Sequence, residues 1–192
     1  MPEYMVFSLC AAILAAAGIL NAPCRAAGLS LFEALYLLLC ALVLSVFDVN
    51  VSVELKVNAG AAAMVLLPAL LIDESDAGEG GAVAALVLFS LVIALFERSG
   101  VIYGCSSGLF CGVLAGLSTV LLYENRGCAC CVAAGIPVLA EVVNCFMSMV
   151  AAGYAGLEIG RDTLFSQFVA LGIAITVIWI RGLCSAAEAG AK

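Results

Sequence analysis

Seven long apolar runs follow one another along this chain, and they constrain its fold more than any other feature. A helix of roughly 20 residues, at about 1.5 Å per residue, crosses a bilayer hydrocarbon core of about 30 Å. The polar stretches between the runs are too short to fold into a separate soluble domain. We therefore predict one all-α, polytopic integral membrane helical bundle over residues 1–192. Its predicted spans are 4–20, 31–47, 57–72, 80–96, 101–123, 128–152 and 164–181.

Two of these runs, 57–72 and 80–96, are short for a membrane span, so the prediction is six or seven spans. Pro68 in the third run, and Gly135 with Pro137 in the sixth, are the positions where a helix would break. Proline removes a backbone donor and crowds the preceding turn, and broken helices occur in membranes where protein surrounds them. The fold prediction therefore includes a broken or re-entrant segment as an option.

Composition supports a membrane protein and excludes other classes. Hydrophobic residues make up 66% of the chain and charged residues 11%, and the mean hydropathy is +1.24. Such usage excludes an ordinary soluble domain. Seven Lys and Arg against fourteen Asp and Glu, with no basic cluster, exclude nucleic acid as a partner. The predicted location is a cell membrane, with the lipid bilayer as the main partner.

The chain contains ten cysteines and no histidine. Most of these cysteines lie within apolar runs, where a thiol behaves as a small hydrophobic group. The only cluster, "GCACC" at 127–131, lacks the four ligands and the spacing of a closed zinc site. No nucleotide, phosphate or nucleophile motif is present. We therefore predict no metal, no cofactor and no catalytic residue, and an enzyme is the less favoured class.

Glu141 is the one charged residue that cannot be moved to the end of a predicted span. An acidic side chain at the bilayer centre costs about 3 kcal/mol on insertion scales, so it must face protein or a water-filled cavity. On a helix, Glu141, Asn144 and Ser148 share one polar stripe. Asn58 in the third run and Asp162 before the last run complete the predicted substrate or ion pathway.

Three functions are compatible with this stripe. A carboxyl that is neutral or charged according to its surroundings suits a small-solute or ion permease or binding component, which we favour. Alternatively, Glu141 only hydrogen bonds to a neighbouring helix, through Asn58 for example. The protein would then be a non-transporting accessory subunit that docks on a membrane protein partner through Ala12 and Ala16. The third option is an intramembrane acid hydrolase, which would need Glu141 and Asp162 as a carboxyl pair.

Five segments resemble, in order, an uncharacterised family of bacterial and archaeal multi-span membrane proteins, domain of unknown function 1614. They are Glu33-Ala34-Leu35, Val57 to Leu71, Gly100 to Gly104, "LAEVVN" at 139–144 and "GRDTLFSQFVALGI" at 160–173. Glu141 stands where the family pattern has Asp. The resemblance implies a multi-span helical architecture and a role for Glu141 and Asn144. It implies no activity, because none is established for that family.

Overall fold

The computed structural model describes residues 3–71, 80–99, 107–122, 126–153 and 155–190. Within them the chain forms eight helices and one small three-stranded sheet, so the predicted all-helical class is confirmed. The helices are α1 Glu3–Ala16, α2 Asn21–Ala26, α3 Leu31–Leu44, α4 Ala59–Leu71, α5 Gly80–Arg98, α6 Ser107–Leu122, α7 Arg126–Ala152 and α8 Arg161–Gly190. The strands are β1 Asp48–Asn50, β2 Leu55–Asn58 and β3 Leu157–Ile159.

Each of the seven apolar runs holds a helix, and within the described residues two helices are long and apolar enough to cross a membrane. These two are Cys128–Ala152 and Arg161–Ala187. Shorter apolar helices are Tyr4–Ala16, Leu31–Leu44 and Gly108–Leu121. Residues 72–79 of the acidic connection and residues 100–106 lie outside the described residues. On length and composition, two helices therefore support association with a membrane.

Helix α7 is continuous through Gly135 and Pro137, so the predicted break is not found there. Side chains from two neighbouring helices donate to carbonyls around the proline. Gln167 Nε2 donates to Ala134 O at 3.0 Å, and Ser90 Oγ donates to Ile136 O at 3.2 Å. The amide that Pro137 lacks would bond to Ala133 O, so these two hydrogen bonds tie α7 to neighbouring helices beside the proline and do not replace the missing bond. Helix α4 likewise runs without interruption from Ala59 to Leu71.

Helices α6 and α8 pack with their backbones in close contact. A Cβ atom added at Gly112 would lie 2.6 Å from Ser166 O, and one at Gly116 would lie 2.6 Å from Ala170 O. Only residues without a Cβ permit such an approach, which is the packing mode of the GxxxG motif. Successive glycines meet successive turns of α8, so the two helices run parallel. The motif is visible in "GLFCGVLAG", 108–116, although our sequence analysis did not use it.

The contacts between helices define one end of the bundle. Helices α5 and α7 run parallel, because Ser90 contacts Ile136 and, further along both helices, Glu97 contacts Asn144. Helix α8 runs antiparallel to α7, and Gly108 near the start of α6 lies close to Asp162. The end of α5, the starts of α6 and α8, and the sheet therefore lie together. We call this the sheet end.

The sheet joins the connection between α3 and α4 to the connection between α7 and α8. Strand β1 pairs antiparallel with β2, and β2 pairs parallel with β3, with Lys56 opposite Glu158. The three strands were not predicted, since each has only three or four residues. The sheet brings the start of α8 next to the start of α4.

Candidate functional site

A hydrogen bond between Asn144 and Glu97 links α7 to α5. Asn144 Nδ2 donates to Glu97 Oε2 at 2.8 Å, and both side chains are half-buried. Glu97 is the residue before the last of α5, so the sequence analysis placed it at a span end. The parallel packing of α5 and α7 turns it inward, toward the predicted polar stripe.

Glu141 lies one turn before Asn144 and is also half-buried. Three other carboxylates act on it electrostatically, and in order of strength they belong to Glu97, Asp162 and Glu158. They come from α5, the first turn of α8 and β3. We call these four residues the acidic cluster. Glu141 is central in its own apolar run, yet it lies at the sheet end because α7 continues past this end to Ala152.

No Lys or Arg in the described part of the chain pairs with the acidic cluster. The one ion pair found there joins Arg161 Nη2 to Asp48 Oδ2 at 3.5 Å, so the arginine next to Asp162 is directed elsewhere. Carboxylates gathered in this way create a negative potential that concentrates cations. Neighbouring carboxylates also resist simultaneous ionisation, which favours uptake of a proton or a cation.

Beneath the acidic cluster, the side chains of Cys111 in α6 and Ser166 in α8 lie close to each other. Both residues are buried, and Glu97 and Glu141 both act electrostatically on the thiol. Ser166 Oγ also donates to Asp162 O at 3.0 Å. The cluster thus rests on a packed and hydrogen-bonded surface at the start of α6 and α8.

Asn58 lies at the same end of the bundle, but the nitrogen and the oxygen of its side-chain amide already have hydrogen-bond partners within the chain. Its Nδ2 donates to Ser45 O at 2.9 Å and to Asp48 Oδ1 at 2.7 Å. Its Oδ1 accepts from Gly60 N at 3.0 Å and from Ala61 N at 3.3 Å, which caps the start of α4. We call this arrangement the Asn58 junction. Asn58 joins α3, β1 and α4, and no hydrogen bond links it to Glu141.

The remaining predicted residues lie at the edges of the site. Asp162 is exposed in the first turn of α8 but is close enough to act on Glu141. Ser148 is half-buried one turn beyond Asn144, and among the described residues no hydrogen bond joins its side chain to the acidic cluster. Ala12 is half-buried and Ala16 is exposed, on a helix that packs against α3 and α8.

Gln167 is a buried polar residue that the sequence analysis missed. Its side chain is completely buried, and Nε2 donates to Ala61 O at 3.1 Å as well as to Ala134 O. Gln167 Oε1 has no hydrogen-bond partner in the described part of the protein. The signal available in the sequence was an uncharged amide side chain near the start of the last apolar run. This residue ties α8 to both α4 and α7.

Among the described residues, no group of three or more Cys, Asp or Glu is arranged to hold a metal ion. No disulfide bond joins any two of the described cysteines, which include Cys128, Cys130 and Cys131.

The chain matches no family model, no curated protein and no solved structure. The similarity of its segments to domain of unknown function 1614 therefore stays a prediction. Any function must be argued from the residues of this chain.

Proposed function

We propose that the protein is a multi-pass membrane permease or binding component for a small cation, a proton included, or a small cationic solute. The observation that carries this proposal is the acidic cluster, in which no Lys or Arg of the described residues forms an ion pair with any of the four carboxylates. Buried or half-buried charges in proteins are normally paired. A site that leaves carboxylates unpaired is suited to a cation from outside the chain.

The multi-pass part of the proposal is supported by how the helices pack. Adjacent helices α7 and α8 are antiparallel, and Gly60 of α4 packs against Ala41 and Ser45 of α3, as in a helical hairpin. Large apolar side chains point away from the bundle, among them Leu39, Leu88 and Leu121. Contiguous exposed apolar surface is unusual on a soluble protein and normal against lipid. Six or seven spans, as expected from the sequence, fit this packing.

In the proposed mechanism, the exposed carboxylates of Glu158 and Asp162 raise the local concentration of cations at the sheet end. Glu97 of α5 and Glu141 of the neighbouring helix α7 then bind the cation. Asn144 is a positioning residue, because its amide holds one oxygen of Glu97 and leaves the other for the ligand. Since the cluster lies where several helices begin or end, a cation reaches it without crossing the bundle.

The test uses proteoliposomes that contain a pH-sensitive dye, with gradients of Na⁺, K⁺ or tetramethylammonium across the membrane. We expect wild-type protein to couple one of these gradients to a pH change. Glu141→Gln removes the charge at constant shape and should lower the rate by about tenfold or more, a barrier increase of at least about 1.4 kcal/mol.

Glu54→Gln is the matched control, since Glu54 is exposed and only its backbone is engaged. It should transport as the wild type does. Normal coupling by Glu141→Gln would show that this carboxylate is not the binding group.

An accessory subunit is the second candidate, and the exposed apolar surface of α1 favours it. Leu9 and Ile13 are exposed beside Ala16, which leaves a surface for a membrane protein partner. Transport by the protein alone in liposomes would exclude an obligate accessory role. Loss of a co-purifying membrane protein on Ala12→Leu/Ala16→Leu, without loss of folding, would support it.

A further inference from the structure

An apolar cleft of about 660 Å³ lies between α1, α2, α3 and α8. Helices α1 and α2 each pack on both α3 and α8. The walls include Leu14 of α1, Leu35 of α3 and Phe168 of α8. Along α8 the lining extends from Phe168 to Val177, which leads away from the sheet end. No member of the acidic cluster contributes to it, so the apolar cleft is a separate site.

The lining has no polar group available for a polar ligand. Its one hydroxyl, on Thr176, donates to Gly172 O of the same helix at 2.7 Å. The thiols of Cys10 and Cys24 are only weak hydrogen-bonding groups. A water held in a cavity needs about two to four polar partners, and apolar cavities stay dry. The chemistry of the cleft therefore selects an apolar chain.

We propose that the apolar cleft binds an acyl chain of an anionic membrane phospholipid. Its volume falls within the range of roughly 300–1,000 Å³ that is usual for ligand pockets. An empty cleft would leave its lining without dispersion contacts. The inference rests on the proposed function only in taking the chain to lie in a membrane, which supplies acyl chains at high local concentration.

Arg25 supplies the argument for an anionic headgroup. It directly follows the lining residues Pro23 and Cys24 in α2, and its side chain is exposed. A basic side chain at the membrane surface attracts anionic lipids. The site thus combines an apolar cleft for the chain with a guanidinium near one wall for the phosphate.

The test compares wild type with the Ala11→Phe/Ala34→Phe variant, which fills the cleft from two walls. Ala151→Phe is the control, because Ala151 is exposed on α7 and does not line the cleft. Each protein is purified in mild detergent, stripped of lipid, incubated with phosphatidylglycerol or phosphatidylcholine and examined by native mass spectrometry. We expect the filled variant to retain phosphatidylglycerol about tenfold less than wild type or the control. Arg25→Gln should lower retention of phosphatidylglycerol to that of phosphatidylcholine.

Equal retention by the filled variant would overturn the assignment of the cleft. Equal retention of both lipids by wild type would overturn the assignment of the headgroup. Circular dichroism and a Tm at or above that of lipid-free wild type verify that the filled variant is folded. If it fails to fold, Gly172→Leu replaces it, since a Cβ there would meet Phe7 at an ordinary 3.4 Å.

The two proposals fail in different ways. A normal transport rate in Glu141→Gln would remove the role of the acidic cluster and leave lipid retention unaffected. Wild-type protein that is soluble and monodisperse without detergent or lipid would contradict the membrane location that both proposals assume.

Discussion

Two polar regions lie side by side at the sheet end, and they differ in how their polar groups are used. In the Asn58 junction, both donors and the acceptor of a buried amide have partners within the chain. In the acidic cluster, three carboxylates lie within electrostatic reach of Glu141, and among the described residues only Glu97 accepts a hydrogen bond from a side chain of another element. Buried polar groups in proteins are almost always satisfied. The comparison indicates that the junction stabilises the fold, and it supports our proposal that the cluster binds a ligand.

The largest effect on stability is expected at the Asn58 junction. Asn58→Ala removes the cap of α4 and leaves the carbonyl of Ser45 and the amides of Gly60 and Ala61 without their side-chain partner. Each such group costs about 1–3 kcal/mol when buried, and we expect a total loss of about 3 kcal/mol in the free energy of unfolding. Denaturant unfolding in detergent, followed by circular dichroism, measures it.

Asn50→Ala is the control, because Asn50 is exposed in β1. Folded Asn58→Ala protein should still couple ion gradients at the wild-type rate. A specific loss of coupling, with unchanged stability, would assign Asn58 to the pathway and remove the distinction between the two regions.

An intermediate effect is expected at Gln167, where one end of the amide is satisfied and the other is not. Gln167→Leu removes the donors to Ala61 O and Ala134 O but also removes the unpartnered Oε1. Loss of the donors lowers the free energy of unfolding, and loss of the unpartnered Oε1 raises it. We therefore expect a net decrease of about 1–2 kcal/mol in the free energy of unfolding. The same unfolding experiment measures it.

Gln167→Glu sharpens the result, since it keeps the shape but replaces the donors with acceptors that face two carbonyls. It should be less stable than Gln167→Leu. The opposite order would mean that a donor from outside the chain, such as an ordered water, meets the Oε1 position.

The sequence predicted the helices because long apolar runs are a strong and local signal. It also assigned Glu141, Asn144 and Asp162 to one predicted site, and the structure brings Asp162 within electrostatic reach of Glu141. It did not identify Glu97, because the direction of that side chain depends on α5 lying parallel to α7. It also did not identify the hydrogen bonds beside Pro137, because Ser90 and Gln167, which donate them, belong to other helices.

The depth of Glu141 was also beyond the sequence. Its position near the middle of an apolar run implied the centre of the bundle. The structure places it at the sheet end, because α7 continues past that end to Ala152. Similarly, Asn58 was assigned to the pathway by residue type, and only its partners from α3 and β1 reveal its structural use.

The smallest change in stability, and one of opposite sign, is expected at Glu141. Glu141→Gln keeps the shape of the side chain but removes a charge that lies among the carboxylates of Glu97, Asp162 and Glu158. The free energy of unfolding should rise by up to about 1 kcal/mol, since part of the repulsion is screened by solvent. The rise should shrink as the pH falls and the other carboxylates take up protons, whereas Glu54→Gln should change stability little at any pH. A loss of stability comparable to that of Asn58→Ala would mean that Glu141 has a structural partner within the chain, and the contrast between a satisfied junction and an unsatisfied cluster would no longer hold.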